Sequence, residues 1–551
     1  MSMMKKTYIH KAVVFLFTIQ LFFSCELDRL PTNAVVDENF WKSEQDFQLA
    51  CNAFYMNLPG YSTRDLYSDI SYNGSPNEYS SGTYLPANNF GPWDSDYAQI
   101  ATANKVIQNA LENRFSVDEA IVNRYEGEAR FYRAWQYFDL LRSYGGVPIV
   151  EELLDINSKE LYAPRNTREE VVAFILKDLD LAIKYLPMPS ALKSGEIGRF
   201  TRTAALTLKS RVALYEGTRQ KYREKGDYKN LLQQAADAAH EVIKSGEHAL
   251  YRSSKNDPVL NFQECFIYEG EGSKETILAN RYQLPWRKNS NSQSLLRSGA
   301  GPTRAIVDAF LCADGLPIGV SQQFKGYVTP GSEFENRDAR MRATLLVPFE
   351  DIAWDGKPYE AKFANGTSQT GYTWKKMAVN EDALAMQSDL DAILIRYAEA
   401  LLNYAEAKYE LADHISNEDL DISVNELRRR VGMVALTNEF IQGANPGNVK
   451  LDMRDEIRRE RLVELANEGF RYDDLLRWGI AQDVLPKALV GIPDLREYYK
   501  YVNNNVWKKV KNGFVELQPA TDRTFEDKHY LWPLPLVQLA LNENLEQNPD
   551  W

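Results

Sequence analysis

The chain has 551 residues, 44% of them hydrophobic and 26% charged, an ordinary globular composition long enough to bury a large core without disulfide staples. Its 64 basic against 77 acidic residues give a net charge of −13, which argues against a nucleic-acid binder, since that function needs a basic face to displace phosphate counterions. Aromatics reach 12%, with 31 Tyr and 10 Trp; each offers a flat apolar face with a polar edge and so suits ligand surfaces as well as core.

Lys5, Lys6 and Lys11 precede the apolar run Ala12 to Phe23. That run is too short to cross a bilayer core, which takes about 20 helical residues. A basic start and a short apolar run read as a secretion signal over residues 1–24. Ser24-Cys25 follows at once, a small residue before a Cys, as in bacterial lipoprotein processing, although Phe22 stands where Leu is usual. Cys25 is therefore the expected lipidation site, with a tether to residue 42; an ordinary signal with an incidental cysteine is the competing reading. Loss of the signal removes three lysines and no acid, leaving −16. Acyl chains on Cys25 would anchor the protein in outer-membrane lipid without a spanning helix.

Further along, Ser43 to Leu58 forms a helix whose Ser43 and Asp46 make a variant capping box. Residues 59–94 carry no lasting period and are rich in Tyr, Asn, Ser, Gly and Pro, so they read as a long loop within a helical region spanning 43–249. Helices are predicted at Ser95–Asn113, Val117–Tyr144, Thr167–Leu186, Thr201–Glu216 and Tyr228–Ser245. Phe131, Trp135, Phe138 and Leu141 form an apolar face, and Gly145-Gly146 a stop. Residues 250–388 are irregular and aromatic, with Tyr268, Tyr282, Trp286, Tyr327, Trp354, Tyr359, Tyr372 and Trp374, and read as a subdomain of loops and short strands. Helices resume in a C-terminal region, 389–551, at Asp389–Asp413, Val449–Trp478 and Pro535–Asn544. Paired helices with Ala, Tyr and Leu faces suggest stacked tetratricopeptide-type hairpins, although no exact 34-residue repeat is visible.

Common catalytic signatures are missing. There is no phosphate-binding loop, no H-E-x-x-H, no G-x-S-x-G, and the five His are scattered, so no metal or cofactor is expected. Cys51, Cys265 and Cys312 read as buried thiols, with one bridged pair left open. Asp94/Asp96, Glu269/Glu271 and Asp473/Asp474 are candidate carboxylate pairs for a glycosidase, but solvated surface is the simpler account of each. Arg454 to Arg477 holds six Arg and seven acids, read as a helix laced by pairs such as Asp455–Arg459 and Arg461–Glu464, with a tight turn at Gly469.

Taken in order, certain segments resemble the SusD/RagB family of outer-membrane nutrient-uptake lipoproteins. They are Cys25; Trp93-x-x-x-Tyr97-x-x-Ile100 followed by Ala103-Asn104-x-Val106-Ile107; and Glu128-Ala129-Arg130-Phe131-x-Arg133-Ala134, running on to Tyr144-Gly145-Gly146-Val147-Pro148. Later come Thr201-x-x-Ala204-Ala205, Ile395-Arg396-Tyr397-Ala398-Glu399, Ile457-Arg458-x-Glu460-Arg461-x-x-Glu464-Leu465, Arg471-x-x-Asp474-Leu475-x-Arg477-Trp478 and Asn542-x-Asn544-Leu545-x-Gln547-Asn548-Pro549. The resemblance implies a mainly α fold, a tetratricopeptide-like helical-hairpin superhelix capped by a loop-rich mixed subdomain. It also implies a non-enzymatic, cell-surface binding protein that delivers a nutrient, usually a glycan, to a SusC-like TonB-dependent transporter. Ligand residues in that family lie in variable regions corresponding to 65–97 and 280–300. On this basis Asp69, Asn73, Tyr79, Tyr84, Trp93, Tyr282, Trp286 and Arg287 are the candidate ligand contacts, core packing being the alternative for each aromatic. Capture of peptides and, from a different class, glycoside hydrolysis remain open; a pure scaffold is disfavoured by the aromatic insert.

Overall fold

The computed structural model describes residues 40–114, 117–224, 226–297, 299–353, 355–360, 369–499 and 504–551. The predicted signal, Cys25, most of the tether and Trp354 lie outside the described residues.

Helix α1 (Glu44–Met56) starts at the predicted capping box: Ser43 receives the Asp46 N–H, and the Asp46 carboxylate receives that of Ser43. Five longer helices follow: α2 (Trp93–Glu112), α3 (Glu119–Tyr144), α4 (Arg168–Tyr185), α5 (Arg202–Arg219) and α6 (Tyr228–Lys244). Each packs on the next, and α6 on α7 (Tyr397–Ala412), so consecutive antiparallel hairpins stack into a tetratricopeptide-like array. The caps are legible in the residues: Thr167 and Glu170 box the start of α4, and Thr201 caps α5. Gly145 ends α3 at φ +82°, a conformation that costs a residue with a Cβ.

Helix α3 differs from expectation. It is buried nearly all round rather than on one face, and Trp135 of the expected apolar face is only half-buried. The helix can bury Arg133 because Asp178 and Asn104 take up the guanidinium, at 2.7 Å each.

The predicted helix 389–413 is corrected at its start. Residues Ala392–Arg396 form a strand that pairs antiparallel with Thr276–Asn280, and α7 begins only at Tyr397. The alternating β-branched Ile393 and Ile395 suit a strand, and the helical period was carried backwards through them. In chain order the strands are β1 (Ser71–Tyr72), β2 (Thr276–Asn280), β3 (Gly301–Pro302), β4 (Ala392–Arg396), β5 (Leu489–Pro493), β6 (Val510–Lys511) and β7 (Phe514–Gln518). They form three small antiparallel sheets, β1-β3, β2-β4 and β5-β7-β6.

One core lies among α1 to α6 and takes in Trp532 and Leu534 near the C-terminus. A second lies in the insert, where Phe310, Tyr372 and Trp374 meet the β5-β7 sheet, and Tyr359 is buried close by. The predicted loop 59–94 is irregular apart from β1 and two single turns and ends at residue 92, since Trp93 and Asp94 already belong to α2.

The charged stretch becomes α8 (Met453–Glu464), a turn with Gly469 at φ +84°, and α9 (Arg471–Arg477). Its charges are less a solvated lacing than an interior network. Arg461 pairs with Asp474 at 2.9 Å rather than with Glu464, and Arg477 with Glu406. Glu464, fully buried, meets Arg430, Arg396 and Arg340 at 2.6, 2.7 and 2.9 Å.

Candidate functional site

Of the two regions singled out in the sequence, the second forms a presented surface. Beyond β2, Gln283 and Arg287 exchange both backbone hydrogen bonds at 2.9 Å and enclose a turn of Leu284, Pro285 and Trp286, with a cis Leu284–Pro285 bond. Two carboxylates hold this turn from the segment ahead of β4. Asp391 Oδ1 accepts the Tyr282 N–H at 2.8 Å, and Asp389 Oδ2 accepts that of Leu284 at 3.1 Å. Underneath, the Arg287 guanidinium lies 5.1 Å from the Tyr282 ring centre and donates to the Arg281 carbonyl at 3.0 Å. It also reaches the carbonyls of Tyr55 and Met56 at the end of α1.

At the tip, Trp286 is 81% exposed, and among the described residues it is the only exposed tryptophan. Held on a braced turn, the ring presents both its flat apolar face and its polar edge to water. Tyr268, partly exposed, lies beside the same acids, its hydroxyl 2.8 Å from Asp382 Oδ2 and 3.1 Å from Asp389 Oδ1. Burial and neighbouring acids raise the Asp391 and Glu271 carboxyls above the ordinary range. Together the turn offers an aromatic plate with carboxylate acceptors nearby.

The first region is arranged differently. Asp69 is buried; burial pushes its carboxyl up, but a bidentate pair with Arg471 at 2.8 and 3.0 Å outweighs this and leaves the pKa lowered. Tyr84 is 2% exposed, with its hydroxyl 3.2 Å from the His529 carbonyl and its ring 5.1 Å from Trp551. Trp93 opens α2 and packs edge-on against Tyr144. Tyr79, half-buried, lies against Tyr67 and Trp532, at 4.2 and 4.8 Å between ring centres. These three aromatics thus belong to an inner cluster that locks the loop to the C-terminus. Asn73 alone of the five is well exposed; its Oδ1 accepts from Ser75, and the adjoining Gly74 abuts Gln369.

Tyr282, Trp286 and Arg287 therefore come together on one turn, apart from the aromatic cluster of the first region. Asp389 and Asp391, which brace the turn, were hidden in the sequence because they read as the start of a helix. Tyr268 was visible only as one aromatic among eight.

The other acids are also placed. Asp473 is bound by Arg64 at 2.6 Å and Arg142 at 2.7 Å, and Asp474 by Arg461 and Arg477, so neither is the solvated surface residue expected. Asp96 is buried as well, whereas Asp94, Glu269 and Glu271 are exposed. Cys51, Cys265 and Cys312 are buried free thiols. Among the described residues, no group of His, Cys, Asp and Glu is arranged to hold a metal ion, and no helix is long and apolar enough to cross a membrane.

A stacked-hairpin array that carries a braced aromatic turn defines a class: a helical scaffold presenting an aromatic turn on an inserted loop subdomain. The comparisons narrow it. A family model described as "SusD family" matches residues 266–551, and a second, described as "Starch-binding associating with outer membrane", matches residues 38–214. The chain belongs to the SusD family. It is 26% identical over 505 residues to SusD-like protein P38 of Formosa agariphila, covering 87% of this chain and 93% of that one. It is 26% identical to a SusD-like protein of Bacteroides ovatus, covering 85% and 82%. Among solved structures, a SusD-like carbohydrate binding protein from Bacteroides fragilis superposes with a TM-score of 0.75 at 24% identity, covering 92% of this chain and all of that one. A laminarin binding SusD-like protein superposes at 0.63 with 20% identity, covering 93% of this chain and all of that one.

Proposed function

We propose that this protein is a cell-surface glycan-binding lipoprotein, anchored in the outer membrane through Cys25, that passes oligosaccharide to a SusC-like TonB-dependent transporter without cleaving it. The observation that carries the reading is Trp286, exposed on a turn braced by Asp389 and Asp391. Sugar rings present apolar C–H faces that cover an indole, while carboxylate and carbonyl oxygens beside it accept from their hydroxyls. The family's association with starch binding at the outer membrane supports both ligand class and location. Trp286, Tyr282, Tyr268 and Arg287 are the proposed contacts or supports, and Asn73 a further exposed candidate.

The test is a glycan-array screen of the chain lacking residues 1–25, followed by Trp286→Ala. Affinity for the retained glycan should fall by about 1–3 kcal/mol. Thermal stability should hold, since the side chain is 81% exposed. Unchanged affinity, or a large loss of stability, would refute the site.

A further inference from the structure

A second space opens at the foot of the Trp286 turn, where Gly60 faces the Tyr282 hydroxyl and the Tyr61 hydroxyl donates to the Asp391 carbonyl at 3.0 Å. A cleft of about 330 Å³ lies between α3, α5, the loop at 59–64 and the turn joining α8 to α9. Its rim includes the exposed Ser62 and Thr63 and, across from them, the half-buried Asn467 and Glu468. Trp135 on α3 contributes an aromatic side chain that is only half-buried although the rest of that helix is nearly all covered.

The charges around this space are matched. Arg64 and Arg142 grip the two oxygens of Asp473, Arg142 also pairs with Asp139 at 2.8 Å, and Arg211 is held by Glu399 at 2.6 Å. The Arg211 guanidinium lies 5.4 Å from the Trp135 ring centre and 5.1 Å from that of Phe470. A ligand with a net charge would therefore meet counterions already taken, and would bring its own desolvation cost. An uncharged ligand meets polar groups fixed in place by their partners. The size sits at the lower end of small-ligand pockets, which run from about 300 to 1,000 Å³.

We infer that this cleft is a binding site for a small uncharged polyhydroxylated ligand of one or two sugar rings, its C–H face on Trp135 and its hydroxyls on Arg64 and Asp139. The inference does not depend on the Trp286 reading: its test runs with the Trp286 ring removed, and the substitutions that decide it, at Thr63 and Trp135, lie outside that turn. In the Trp286→Ala chain lacking residues 1–25, glucose, galactose, maltose and cellobiose are titrated by calorimetry. At least one should saturate with a millimolar or tighter dissociation constant. Thr63→Tyr, added to that background, fills the rim at an exposed residue whose side chain makes no cap hydrogen bond. It should weaken binding at least tenfold and leave the unliganded melting temperature unchanged. Trp135→Leu should do the same to affinity, and if it fails to fold, Thr63→Tyr decides alone. Saturation by none of the four sugars, or saturation that survives the rim substitution unaltered, overturns the inference, whatever the outcome at Trp286.

Discussion

At the scale of single residues, neighbouring acids behave in opposite ways. Asp69 is kept ionised by Arg471, whereas Asp65, whose oxygens accept the backbone N–H groups of Gly469 and Arg471, is pushed by burial up to about 6. Asp96 is the extreme case. It is 5% exposed, its Oδ2 has no partner among the described residues, and burial together with the charge of Asp139 raises its pKa to about 9 despite Arg142. The folded chain thus keeps a proton that the unfolded chain releases near the ordinary aspartate value of 3.8. The stability this group contributes is complete below that value and is lost as pH climbs towards about 9. Asp96→Asn replaces a neutral acid by a neutral amide. It should leave stability near that of the parent at acid pH and raise it by roughly 1–3 kcal/mol at mildly alkaline pH. Melting curves across that range check it; a variant less stable than the parent at alkaline pH would mean that the carboxylate is charged and needed.

Among elements, the braced turn at 282–287 makes the corresponding prediction about order. Asp389 and Asp391 give it two backbone hydrogen bonds from outside, each worth about 0.5–1.5 kcal/mol net. Asp389→Ala combined with Asp391→Ala should speed amide exchange over 282–287 and weaken glycan binding about tenfold through the cost of ordering a looser loop, with little change in melting. Unchanged exchange would show that the turn holds itself. Elements of this kind mark where the sequence stops being readable. Helices bounded by Ser43, Thr167, Thr201 and Gly145 could be placed because caps and stops are local chemistry. The start of α7 could not, because β4 exists only through its pairing with β2, more than a hundred residues away. Arg461 and Arg477 showed their number but not their partners, since Asp474 and Glu406 reach them only after α7, α8 and α9 pack. Trp286 was legible as a candidate by residue type and region. Tyr84 and Trp93 were equally so and lie in the core, for an aromatic side chain carries no local mark of which side of the surface it will occupy.

Over the whole molecule, two features decide where the protein sits and whether it holds together. The proposed anchor predicts that Cys25→Ala, with the signal still removed, shifts the protein from the membrane fraction to the soluble one; retention of that processed chain would reject the lipid as its main attachment. Cohesion rests on Glu464. Its three guanidinium partners come from separate places: Arg340 from the insert, Arg396 from the end of β4, and Arg430 from the short helix Val424–Arg430. Glu275, just before β2, bridges Arg396 and Arg430 from the other side at 2.9 and 3.1 Å. Burial would raise the Glu464 pKa, but the three cations outweigh it and hold it well below the ordinary carboxylate range. For a depressed group the stabilisation is present above the unfolded value, 4.5, and drains away as pH falls through the folded one. Glu464→Gln conserves volume and leaves buried guanidinium charge uncompensated, which should cost about 3–5 kcal/mol in denaturant unfolding. Because the variant no longer has this proton to take up, its stability should also fall less steeply on acidification than the parent's. A loss as small as that of a surface substitution, with the acid limb unaltered, would mean that insert and array are joined by their apolar contacts and that the buried charges merely accompany them.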